Sequence, residues 1–320
     1  MTDFKAIFGK KIKLQTSDLT MSTATEGELF YSDSGSEFKV GVTVVAWASG
    51  GNMNTARKEL QGNAGGGGLQ TAAIAFGGSV PAKIATTEEY DGTDWTATGN
   101  YPVAITQAGG FGTQTAQVGF GGEAAPGRSV VTAEYNGTSW TAVEDLPTAN
   151  QGNSGAGVLT AGLAIGGNTG SAVVTTLEYD GTDWTAGGDL NTAKAGSASA
   201  GPQTAALITT TTTETYDGSS WTEIADMNTG RGAVVGAGGG TDAQTNFVVG
   251  GGGPSPAVHT EHFDGTSWAE VADMATARGD GGGNGTGDAA VAFAGEPGSG
   301  VTAATEEYTA TVTLKTVTDS

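Results

Sequence analysis

Tyr90-Asp91-Gly92-Thr93-Asp94-Trp95 is the stretch that decides the fold of this 320-residue chain, because it keeps returning. The later copies are Tyr135 to Trp140, Tyr179 to Trp184, Tyr216 to Trp221 and Phe263 to Trp268. Each reads aromatic, Asp or Asn, Gly, Thr or Ser, Ser or Asp, Trp, with the two aromatics five residues apart. The Trp-to-Trp steps are 45, 44, 37 and 47 residues. Asp-Gly or Asn-Gly between two short apolar segments is hairpin chemistry, since Gly takes φ > 0 without steric cost. A strand-turn-strand unit repeated at forty-odd residues predicts four-stranded blades around an axis, which is a β-propeller.

Working outward from each Trp fills in the repeat. Six residues on stand Met53, Tyr101, Leu146, Leu190, Met227 and Met274, and eight on stand Thr55, Val103, Thr148, Thr192, Thr229 and Thr276. A Gly/Ala/Ser-rich stretch follows, as at 62–68 and 232–240, then an apolar run ending in Gly-Gly, as at 72–78, 116–122, 163–167 and 247–251. A variable loop leads back to the next Thr/Glu-rich strand and its aromatic. Strands a to d are thus laid out from axis to rim. Small side chains suit the crowded inner strand, and Tyr and Trp fill the wedges between blades.

Six aromatics of strand c, Tyr90 to Tyr308, stand against six Trp that are offset by one. Trp47 has no strand c before it, and Tyr308 has Thr313 where a Trp would follow. Six blades close if Val42 to Ser49 supplies strand d of the last one, which also removes an open sheet edge. Residues 311–317 are the competing candidate for that strand. The expected division is a 1–41 arm with a β-hairpin and a 42–320 six-bladed propeller closed by 42–49.

The order Gly-Gly, variable loop, Tyr, then Trp resembles the Kelch repeat of galactose-oxidase-like propellers over residues 42–313. Departures are Ile208-Thr209-Thr210 in place of Gly-Gly in the fourth copy, Ala294-Gly295 in the sixth, and a shortened hairpin. The copper chemistry of such propellers draws on Cys, and this chain has none.

Acidic residues outnumber Lys plus Arg by 34 to 13, a net charge of −21. That balance argues against nucleic acid and anionic membrane as partners. No apolar run reaches the roughly 18 residues of a membrane span, so membrane insertion is not expected. Met1 to Leu14 carries four Lys and no apolar core of a signal peptide. With no Cys, neither disulfides nor thiol chemistry enter.

The first forty residues do not repeat. Residues 27–31 and 37–40, around a polar Gly-containing turn, read as a β-hairpin. Five of thirteen basic residues fall there, Lys5, Lys10, Lys11, Lys13 and Lys39. Glu26-Gly27-Glu28-Leu29-Phe30-Tyr31 with its hairpin resembles N-terminal segments of bacteriophage tail-fibre and related virion proteins. That resemblance implies an anchoring arm and a displayed head. The Lys concentrated on an otherwise acidic chain, Lys5, Lys10, Lys11 and Lys13, with Phe30 and Tyr31, are the expected contact residues of the arm.

Few residues suggest chemistry. His259 and His262 lie three apart in a strand and point to opposite faces. The Gly runs lack a phosphate-loop Lys, and no nucleophile elbow appears. Asp91, Asp180, Asp217 and Asp264 fit turn chemistry better than calcium binding. No catalytic residue, metal or cofactor is expected, and the chain reads as not an enzyme. Ten residues after each Trp stand Arg57, Ile105, Asn150, Lys194, Arg231 and Arg278. Arg57, Lys194, Arg231 and Arg278 could ring one mouth of the central channel and hold an anion, or bond internally to loops. The loops between strands b and c vary most and offer a contact face. The expected function is a virion structural protein, a tail fibre, appendage or particle decoration. Its expected partners are other virion proteins through the arm, a host-surface glycan or protein, and further copies of itself. The alternatives are a glycan- or protein-binding module outside a virion and a glycan-active propeller enzyme.

Overall fold

The computed structural model describes residues 4–7, 10–15, 29–32, 37–60, 68–232, 235–238, 243–252 and 257–317, with the backbone alone for 4–7, 10–15, 30 and 235–238. All its regular structure is β. The chain divides into two compact units, Trp47–Tyr308 and a smaller one made of Met1–Ala46 with Thr309–Ser320. The long strands Glu37–Ser49 and Thr305–Thr316 contribute to both.

The larger unit is the six-bladed propeller. Blade 2 shows the pattern: Gly109–Thr113, Ala116–Phe120, Thr132–Tyr135 and Trp140–Ala142 pair antiparallel in that order. Blades 3, 4 and 5 repeat it, ending on Trp184–Ala186, Trp221–Ile224 and Trp268–Glu270. Blade 1 shows Ala73–Phe76, Thr87–Tyr90 and Trp95–Thr98; residues 61–67, where the repeat puts its inner strand, lie outside the described residues. Blade 6 is Gly282–Gly285, Ala289–Phe293, the start of Thr305–Thr316 and the end of Glu37–Ser49.

The five-residue spacing has a plain cause. Tyr90 sits directly opposite Trp95 in the ladder, so both rings leave the same face. Their centroids lie 5.2 Å apart, and the partners in blades 2 to 5 lie 4.8–5.2 Å apart. Trp47 meets Tyr308 at 5.3 Å, although 261 residues separate them. The strand-c aromatics are at most 2% exposed. By area each contributes roughly 4–6 kcal/mol as an upper bound.

The core lies between blades rather than within them. Phe247, Phe263 and Trp268 of blade 5 pack on Ala198, Ala200 and Leu207 of blade 4. Met53, Tyr90 and Trp95 of blade 1 pack on Val291 and Phe293 of blade 6, which completes the ring. Directed bonds follow the same sense. Trp95, Trp140, Trp184 and Trp221 each donate Nε1–H to the first Thr of strand c one blade back: Thr305, Thr87, Thr132 and Thr176. Trp47 does so to Thr260 of blade 5 at 3.1 Å. Tyr hydroxyls add a second series, Tyr90 to Glu307, Tyr179 to Glu134 and Tyr216 to Glu178, at 2.6–2.8 Å.

In the smaller unit the N-terminal hairpin pairs Leu29–Ser32 with Glu37–Ser49, Tyr31 opposite Phe38. Two further strands extend it, where the sequence alone predicts only the hairpin of the arm. Lys10–Gln15 runs parallel to Leu29–Ser32, and Phe4–Ile7 antiparallel to Lys10–Gln15. Residues 309–320 belong to this unit, so it takes strands from both chain ends. The hairpin turn, 33–36, lies outside the described residues.

Candidate functional site

The four cations ten residues after Trp are not presented at a channel mouth. Arg57, Lys194, Arg231 and Arg278 are 0–4% exposed, and each is ion-paired to a Glu two residues before the strand-c aromatic of its own blade. Arg57 Nη2 reaches Glu88 at 2.6 Å, Lys194 Nζ reaches Glu214 at 2.6 Å, and Arg278 Nη2 reaches Glu306 at 2.6 Å. Arg231 lies 3.1 Å from Glu261. Arg57 and Arg278 also donate to carbonyls of their own blades, Gly77 and Thr86 in one and Ala294 and Ala304 in the other. Burial pushes the guanidinium pKa of Arg57, Arg231 and Arg278 down against the pull of the carboxylates. For Glu214 burial works upward, but Lys194 and Asn191 outweigh it and hold the carboxyl below its ordinary value. The internal-bonding reading therefore describes these residues, and ligand capture would require opening a blade.

The pairing obeys a pattern that counting from Trp alone hides. The carboxylates also accept backbone N–H bonds from the residue seven after Trp: Asn54, Asn191, Asn228 and Ala275, at 2.6–2.8 Å. In blades 2 and 3 the Glu position holds Ala133 and Leu177, and the cation position holds Ile105 and Asn150. The donor position there is Pro102 and Pro147. Proline has no N–H to leave stranded once the acceptor is gone. Cation, carboxylate and amide thus come and go together.

Two residues beyond each cation position a second ring begins. Glu59, Gln107, Gly152, Gly196 and Asp280 adopt left-handed backbone with φ of 53–64°. The fifth-blade equivalent, Ala233, lies outside the described residues. Gln107 N–H donates to the Glu59 carbonyl, Gly152 N–H to Gln107 and Gly196 N–H to Gly152, at 2.8–2.9 Å. Leu60 N–H donates to the Asp280 carbonyl at 3.1 Å. Holding Glu, Gln or Asp left-handed costs roughly 1–2 kcal/mol each, so the blade-to-blade belt enforces a conformation the residues would not choose.

Around this belt the b–c and d–a loops form a polar face knit from blade to blade. Lys58 pairs with Glu296 at 2.8 Å, Lys83 with Glu123 at 2.9 Å, and Arg128 Nη2 donates to Asn168 Oδ1 at 3.1 Å. Ser79 Oγ donates to Glu59 at 2.7 Å and Gln151 to Gln107 at 3.0 Å. Burial first, and the Glu59 and Glu296 carboxylates next, push the Asp280 carboxyl up. This face can make polar contacts to a partner, and the sequence reading placed its contact surface on these loops.

The arm residues fare differently. Tyr31 packs edge-on against Phe38, ring centroids 5.2 Å apart. The side chains of Lys5, Lys10, Lys11, Lys13 and Phe30 lie outside what is described. His259 lies 3.5 Å from Asp273, and His262 Nε2 meets Asn246 Oδ1 at 2.5 Å. Among the described residues no group of three or more His, Asp or Glu is arranged to hold a metal ion. The Asp hairpin residues make Asx turns: Asp91 Oδ1 accepts the N–H groups of Thr93 and Asp94, both at 2.8 Å. A missed signal is the Gln of the a–b turns. Gln70, Gln114, Gln203 and Gln244 each donate to two carbonyls of the preceding blade.

No protein family and no curated protein matches this sequence at a significant level. Among solved structures, the one titled "Structure of YjhT" superposes with a TM-score of 0.66 at 15% identity, covering 82% of this chain and 99% of that one. At that identity the likeness is one of fold. It also corrects an expectation. The fold shared with YjhT is an architecture that serves binding proteins and enzymes alike, so it gives no ground for calling this chain a non-enzyme, and that exclusion is withdrawn.

Proposed function

We propose that this chain is a bacteriophage virion appendage, a Kelch-like propeller held to the particle by an arm, with its loop face as the contact surface. The observation that supports the reading is the second compact unit, which draws on both ends of the given sequence. It contains the segment 26–40 that resembles virion proteins. Its composition supports the same reading: with six Lys against seven acidic residues it is nearly neutral, while the propeller holds seven basic and 27 acidic residues. An arm with little net charge can enter a protein assembly that would repel the −20 propeller. The polar loops around the belt are then free to meet a host-surface glycan or protein.

The test is incorporation. Full-length chain and a version lacking 1–40 are each mixed with particles of the encoding phage assembled without it, then sedimented. The full-length chain is expected to travel with the particles and the truncated one to stay in solution. Equal incorporation of both would overturn the anchoring role.

A further inference from the structure

The smaller unit has one face that its own described residues leave open. In an antiparallel ladder directly opposed residues share a face. Leu29 opposes Val40 and Tyr31 opposes Phe38, so these four stand together, and alternation along the strand adds Val42 and Val44. Leu29 is 38% exposed, Phe38 41% and Val44 40%. Val317, 51% exposed, lies alongside, its N–H donating to the Phe38 carbonyl at 2.8 Å. On the opposite face Ser32 and Gly41 are buried. Six large hydrophobic side chains are prominently exposed among the described residues, and four are these.

We propose that this face is a self-association surface, covered by the same face of a second copy of the chain. Charge selects the occupant. The propeller's −20 keeps copies apart wherever blades approach, and an oppositely charged partner would be sought there rather than here. The smaller unit, at −1, is where two copies can meet without repulsion, and near-zero charge beside an open apolar face favours association. A sheet with one apolar face needs a second layer about 10 Å away, and an identical face supplies one of matching length and twist. The proposal stands on the surface alone and does not require that the arm enter a virion.

The experiment uses the full-length chain. Its mass is measured by light scattering from about 1 µM to about 100 µM, a range that brackets weak and firm association. A multimer is expected, with the Phe38→Glu and Val44→Glu variants shifted to monomer while keeping the β circular dichroism spectrum of the folded chain, since both side chains are partly exposed in the single chain. A monomer at every concentration overturns the proposal, and so does a multimer whose mass neither variant changes. Should a variant fold poorly, the absence of Cys offers a second route. Val44→Cys is expected to cross-link between copies on mild oxidation, while Ser139→Cys on an exposed propeller turn is not. Equal cross-linking of the two, or none, overturns it as well.

Discussion

Arg278 and Glu306 lie fully inside blade 6, so neither can be changed alone without leaving a charge in a dry place. Arg278→Ile is expected to cost about 3–5 kcal/mol, the range for breaking a buried pair. Adding Glu306→Ala copies the Ile105 and Ala133 solution of blade 2 and should return part of the loss. The Ala275 N–H then lacks its acceptor, and Ala275→Pro, after Pro102, should return more. Urea unfolding of the three variants checks the order; a single substitution costing under about 1 kcal/mol would show that the pair is not buried as described. The carboxylate half of this arrangement was legible in principle. Glu88, Glu214, Glu261 and Glu306 occur in the same four repeats as the cations. Counting forward from Trp alone hid them, because cation and Glu lie 20 to 31 residues apart in sequence.

At the scale of elements, the c–d turn shows why some features could be read directly. Tyr, Asp-Gly and Trp act within six residues, so local chemistry alone sets their geometry. The turn of blade 2 has Asn136 where four others have Asp, and it accepts from Thr138 and Ser139 at 3.0 Å. The Asp turns accept the same bonds with charge, and their amide and hydroxyl donors hold the carboxyls low, Asp217 at about 2. Asn136→Asp should therefore raise the melting temperature at pH 7. A folded pKa below the unfolded one means that the gain is present above about pH 4 and lost as pH falls toward 2. A melting temperature that does not depend on the substitution at any pH would contradict this. The strand-c tyrosines give the opposite sign. Burial, aided for Tyr216 by the Glu178 carboxylate, pushes Tyr135, Tyr216 and Tyr308 up to about 12. Between about pH 10 and 12 the unfolded chain releases protons that the folded one keeps, so stability falls as pH rises. Phenolate absorbance should appear together with loss of the β circular dichroism signal; ionisation of all seven Tyr near pH 10 with the fold intact would refute their burial.

The whole molecule shows what sequence reading reaches and where it stops. Blade number followed from six registered aromatics. The strand pairing of the smaller unit did not, because Lys10–Gln15 finds its parallel partner across a connection with no turn signature, and parallel pairing leaves no local mark. Ring closure can be tested by length. A chain beginning at residue 41 retains Trp47 and should melt within a few degrees of the full chain. One beginning at residue 51 loses the Tyr308 partner and the bond to Thr260, and should melt far lower in one cooperative step. Equal melting of the two would place the closing strand elsewhere.

That closure also sets a timetable for synthesis. Trp47 leaves the ribosome before Tyr308, the residue it packs against, which follows 261 residues later. At translation rates of about 5–20 residues per second the wait is on the order of 13–50 s. Throughout it the nascent chain carries an outer strand without its blade, and five blades can form before the sixth. A message cut short before Tyr308 would therefore yield a nearly complete product with two bare sheet edges, a species for chaperones and proteases to find.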